Sequence, residues 1–126
     1  MNIALATIYV DDLDRAYTFY TQVLGLLPRK YFPEASVAIV GSPEQPEGAG
    51  LVLQRNEQPV HRAFQQGMFE SGQGAVALGT ADIQREYERL LAQGVVFRQE
   101  PILIEDGMLA IFEDTCGNLI YLFQRA

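Results

Sequence analysis

Two stretches of the chain carry the same order of apolar and polar positions: a short apolar run, an acidic residue, a helix-period stripe and a glycine. In the first, Leu13, Ala16, Tyr17, Tyr20 and Leu24 recur at the spacing of one face of an amphipathic helix. They follow an apolar run over residues 3–10 and precede Gly25. In the second, Ile83, Tyr87, Leu90 and Leu91 repeat the stripe between a run at 75–80 and Gly94. Asp12 and Asp82 stand where an N-cap belongs, because a carboxylate there accepts from free amides at the positive end of the helix dipole. Gly25 and Gly94 can take the left-handed conformation that closes a helix. Neither start has Glu or Gln three residues on, so no capping box reinforces it.

The remaining pattern predicts mainly strands. Residues 29–40 hold one or two, broken by Pro33, which cannot donate in a central ladder. Residues 42–50, with two prolines and two glycines, are a loop, and 51–55 a strand. A short helix at 61–70 would present Phe64, Met68 and Phe69 as one amphipathic turn, the spacing of a core or interface stripe. Residues 95–98 and 102–104 are extended, and Glu105-Asp106-Gly107 is a hairpin turn before 108–112. Residues 114–118 then turn the chain into a last strand at 119–124, with Asp114 capping its own backbone. An offset of 70 places Asp12 on Asp82, Arg15 on Arg85, Tyr17 on Tyr87 and Gln54-Arg55 on Gln124-Arg125. A register kept at both ends predicts a duplicated strand–helix–strand–strand–strand unit. The modules are 1–56 and 74–126, joined by 57–73. Each helix is expected to cover one face of its own half-sheet, leaving the opposite face to enclose a cleft.

Composition narrows the partners. A net charge of −7 opposes phosphate backbones and anionic lipid, so neither nucleic acid nor a membrane is an expected partner. No apolar run reaches the roughly 18 residues of a spanning helix, and the first residues lack a secretory pattern. With a single cysteine there is no internal disulfide, and a reducing cytoplasm is the expected setting.

The stretch VDDLDRAYTFYTQVLGL, its echo ADIQREYERLLAQGV and the ending FEDTCGNLIYLFQ resemble the vicinal oxygen chelate superfamily of glyoxalases, bleomycin-resistance proteins and ring-cleaving dioxygenases. The resemblance implies an α+β fold of two βαβββ modules forming a half-barrel of mixed sheet around a cavity. It also implies a homodimer. The family's enzymes usually hold a divalent metal through His, Gln or Glu on the first and last strands of the modules. The matching positions here are Leu5, Ala75 and Tyr121, with Leu51 added by the offset of 70. Leucine and alanine offer no donor atoms and a neutral tyrosine is a poor ligand, so no metal and no other cofactor is expected.

Strand alternation sorts the remaining candidates. Ala4, Ala6, Ile8 and Val10, Val76 with Leu78, and Ile120 with Leu122 make smooth apolar faces suited to packing beneath helices. The other faces carry Leu5, Thr7 and Tyr9; Ala75, Ala77 and Gly79; and Leu119, Tyr121 and Phe123. They describe a pocket for a small, mainly apolar or aromatic ligand, lined by Thr7, Tyr9, Tyr121 and Phe123, with Phe64 and Met68 contributed by the connecting helix. The alternative is that these aromatics simply fill the trough. His61, the only histidine, is expected on an exposed loop. Cys116 sits in a turn with no nearby base in sequence to activate it. The leading expectation is therefore metal-free binding in the manner of bleomycin-resistance proteins, to which acidity would steer a cationic ligand. A lyase, isomerase or dioxygenase relative with an atypical site around Tyr9, Tyr121 and His61 is the alternative.

Overall fold

A computed structural model describes residues 1–126. The elements run β1 (Leu5–Val10), α1 (Leu13–Thr18) continued by a π-turn (Phe19–Val23), β2 (Leu27–Phe32), a 3-10 turn (Pro33–Ala35), β3 (Val37–Gly41) and β4 (Gly50–Arg55). After α2 (Pro59–Glu70) come β5 (Gly74–Gly79), α3 (Ile83–Ala92), β6 (Phe97–Ile104), β7 (Gly107–Glu113) and β8 (Leu119–Arg125). The fold is α+β. The chain forms two compact units, Met1–Ala63 and Phe64–Ala126, and each holds one four-stranded mixed sheet not closed into a barrel. The strand orders are β1-β4-β3-β2 and β5-β8-β7-β6, so the same topology occurs twice. In each sheet the first strand pairs in parallel with the last and the other pairs are antiparallel. No helix is long and apolar enough to cross a membrane.

The helix starts are chemically identical. Asp12 Oδ1 accepts from the Arg15 amide at 3.1 Å, and Asp82 Oδ1 accepts from the Arg85 amide at 3.1 Å. Replacing either aspartate by alanine is expected to cost about 1 kcal/mol, and because the sites lie in separate units the losses should add. Denaturant midpoints of the two single variants and the double variant check this.

In the first unit Leu13, Ala16, Phe19 and Tyr20 are buried with Ile8, Val10, Ala38, Val40 and Leu53. Phe19 lay outside the expected stripe. The Leu24 amide bonds the Phe19 carbonyl, an i+5 bond, and the wider turn rotates Phe19 into the core. Tyr17 stacks on Tyr31 at 4.9 Å on the rim of that core. In the second unit Ile83, Leu90, Val95, Ala110, Phe112, Ile120 and Leu122 are buried, whereas Leu91 is 44% exposed. Ala4 and Ala6 are also exposed, so on β1 the helix-covered face is limited to Ile8 and Val10.

Pairing corrects one inference from the repeat. Thr7 lies beside Val52 and Tyr9 beside Gln54, whereas Ala77 lies beside Tyr121 and Gly79 beside Phe123. Measured along the ladder, Val52 rather than Leu51 is therefore the counterpart of Tyr121. Leu51 pairs with Ala6 and shares the face of the buried Leu53. The offset of 70 holds through strand and helix and drops by one in the closing strand. A bulge between Gly74 and Ala77 accommodates the change. Residues 95–98 and 102–104, expected as two extended pieces, are joined from residue 97 on in the single strand β6, with irregular pairing at Gln99.

Candidate functional site

The helix-free face of the first sheet combines Leu5, Thr7 and Tyr9 of β1 with Gly50, Val52 and Gln54 of β4, and continues through Ile39 and Gly41 of β3. Leu5 is 54% exposed and Tyr9 half-buried. His61 is not on a loop, as expected, but in the first turn of α2, because the helix begins two residues earlier than its apolar stripe suggests. Its ring stacks on Tyr9 with centroids 4.1 Å apart and planes 18° from parallel, and Nδ1 is buried without a hydrogen-bond partner.

Arg29 is a further polar group on this face. It is the extra residue of a β2 irregularity between Pro28 and Lys30, which removes it from normal alternation. Its guanidinium lies across the bare backbone of two glycines. A methyl group on Gly41 would come within 2.6 Å of Cζ, and one on Gly50 within 2.9 Å of Nη1. Nη2 donates to the Gly48 carbonyl at 2.9 Å and, at 3.4 Å, to that of Gln45. Nε is buried with no partner. An unmet buried donor of this kind costs about 1–3 kcal/mol.

The second sheet has its own helix-free face. Ala75, Ala77 and Gly79 of β5 are exposed beside half-buried Tyr121 and Phe123 of β8, with Leu109 and Ile111 of β7 beyond them. The Tyr121 ring rests on Gly74, where a methyl group would approach it within 2.6 Å. At the edge, Arg98 pairs with Glu113 at 2.6 Å and sits 5.1 Å from the Phe69 ring centre. Phe64 is 60% exposed and Met68 half-buried on α2. The structure thus brings Thr7 and Tyr9 onto one sheet face and Tyr121 and Phe123 onto the other, as alternation predicts.

Arg29 was missed because alternation alone cannot announce a bulge. Its only signals are Pro28 just before it and the glycines at 41 and 50. Also unforeseen is a buried polar knot in the second unit. Asp114 accepts from the amides of Cys116 at 2.7 Å and Asn118 at 3.0 Å, and from Asn118 Nδ2 at 2.9 Å. Gln65 Nε2 donates to the Cys116 carbonyl at 2.9 Å. Cys116 is fully buried within this knot, which gives it a structural role.

A family model described as the Glyoxalase/Bleomycin resistance protein/Dioxygenase superfamily matches residues 2–122. An uncharacterized protein of Bacillus subtilis, YurT, is 39% identical over 99% of this chain and all of its own length. A Synechocystis protein named probable lactoylglutathione lyase is 32% identical, over 94% of this chain and 92% of its own. The crystal structure of TnmS3, an antibiotic binding protein from a Streptomyces strain, superposes with a TM-score of 0.79 at 24% identity, covering 100% of this chain and 97% of that one. At that identity the likeness is one of fold. The metal that the family's enzymes usually hold does not fit the residues at its positions, for Leu5, Val52 and Ala75 have no donor atom and Tyr121 has only a phenol. No three His, Cys, Asp or Glu side chains gather elsewhere to replace them. On topology, repeat and a match across nearly its whole length, the chain belongs to the glyoxalase/bleomycin resistance protein/dioxygenase superfamily.

Proposed function

We propose that this protein binds, without a metal, a small and mainly apolar or aromatic molecule on the helix-free faces of its sheets. The observation that carries the reading is the chemistry of those faces. Apolar side chains and bare glycine backbone carpet them, with a few polar groups (Thr7, Tyr9 and Tyr121) to orient a guest. The fold it shares with TnmS3 serves antibiotic binding in that protein. A homodimer in the cytoplasm is the expected working form.

The relative named probable lactoylglutathione lyase favours an enzyme instead. Metal content separates the two readings. Elemental analysis of protein purified without chelator is expected to find far less than one zinc, iron, nickel or manganese per chain; a stoichiometric metal would overturn the binding reading. The neutral fluorophore N-phenyl-1-naphthylamine serves as the probe of the faces. Ala77→Trp, which fills the strip beside Tyr121, is expected to weaken it about tenfold, since some 1.4 kcal/mol of lost contact suffices for that factor. An unchanged affinity would show that the probe does not bind on the second sheet.

A further inference from the structure

We infer that the guest is an elongated aromatic acid whose anionic group is received by Arg29. The inference rests on the binding reading above and specifies its ligand. Two side-chain atoms of the chain are buried without a hydrogen-bond partner, Arg29 Nε on the first sheet and His61 Nδ1, whose ring reaches from α2 to stack on Tyr9 of that sheet. Such atoms are costly; Arg29 Nε is always a donor and lacks an acceptor, whereas His61 Nδ1 donates or accepts according to its tautomer.

The geometry around Arg29 is that of a receiver. No carboxylate pairs with it, in contrast to Arg89 and Arg98, which meet Glu86 and Glu113. That is notable where acids outnumber bases by 16 to 9. Gly41 and Gly50 open the floor on which the guanidinium lies flat, and the Gly48 carbonyl anchors Nη2. With Nη2 anchored in this way, the Nη1 N–H groups of a permanently charged guanidinium remain for carboxylate or sulfonate oxygens. At the other end of β1, the Tyr9–His61 stack offers an aromatic platform. Leu5, beside the guanidinium, and Tyr9 are four residues apart, about 13 Å at the rise of a strand. A guest that meets both ends is therefore long and flat, with its acid at the Leu5 end. The overall negative charge does not forbid this, because exposed charges are screened beyond about 10 Å at 0.1 M salt while a partly buried guanidinium is screened far less.

The test compares two fluorophores that differ chiefly in one group, 8-anilinonaphthalene-1-sulfonate and the neutral N-phenyl-1-naphthylamine. The wild-type chain is expected to bind the sulfonate more tightly. Arg29→Leu should weaken the sulfonate about 10- to 100-fold, the range of a charge-assisted hydrogen bond, and leave the neutral probe within about twofold. Gly50→Ala keeps the charge but crowds Nη1, and should also weaken the sulfonate selectively. Arg55→Leu, at an exposed arginine, should change neither. Equal affinity of the wild type for both probes, or equal weakening of both by Arg29→Leu, overturns the acid while leaving the binding reading in place. Failure of the wild type to bind either probe overturns both.

Discussion

Asp114→Ala is expected to lower the stability of the second unit by about 3–5 kcal/mol, because three donors would lose this buried carboxylate. The carboxylate is fully buried, so water cannot replace it without opening the turn. The damage should spread to α2, since Gln65 donates to the Cys116 carbonyl, whose position the turn determines. Chemical denaturation of the wild type and variant, followed by far-ultraviolet circular dichroism, measures the loss. Asp114→Asn supplies the control. Its amide oxygen can still accept from the backbone, but its NH2 group would face Asn118 Nδ2, so an intermediate loss is expected. A variant as stable as the wild type would show that the turn holds by chain geometry alone.

Phe112→Ala should cost a similar amount, about 3–5 kcal/mol, by a different mechanism. The ring is fully buried and tilts against Phe97 with centroids 5.5 Å apart, and Phe97 meets Tyr87 of α3 edge-on at 4.7 Å. Truncation removes the innermost member of this aromatic series, which joins the helix to β6 and β7, and leaves a void. Phe112→Leu keeps most of the volume and should lose much less. Thermal melts of the pair give the comparison, and equal losses would mean that ring stacking outweighs filled space. Neither substitution touches a helix-free face, so N-phenyl-1-naphthylamine should bind the folded fraction of both unchanged.

The sequence made the duplicated framework visible because its signals are local and recur. The Asp12 and Asp82 caps, the helical stripes and the alternation on β1, β5 and β8 each need only a few neighbouring residues. What stayed hidden depends on pairing between distant residues. The one-residue slip in the closing strand appears only in the ladder, where Thr7 meets Val52 rather than Leu51. Arg29 owes its place to a bulge and to glycines 12 and 21 residues further on. The Tyr9–His61 stack spans 52 residues, and no periodicity reports it. Asp114 was legible as a turn former, but the Gln65 contact that completes its burial comes from 51 residues before Cys116.

The two ladders agree in topology and differ in the lengths of their connections, most between the third and fourth strands. Fifteen residues separate Ala38 from its partner Leu53, and twelve separate Ala110 from Leu122. Three residues have thus been gained or lost between the third and fourth strands with neither sheet turned over. The shorter connection is the turn closed by the Asp114 knot and the longer one carries the Gln45 and Gly48 carbonyls that hold Arg29, so a foreign peptide inserted at either would disturb a polar arrangement.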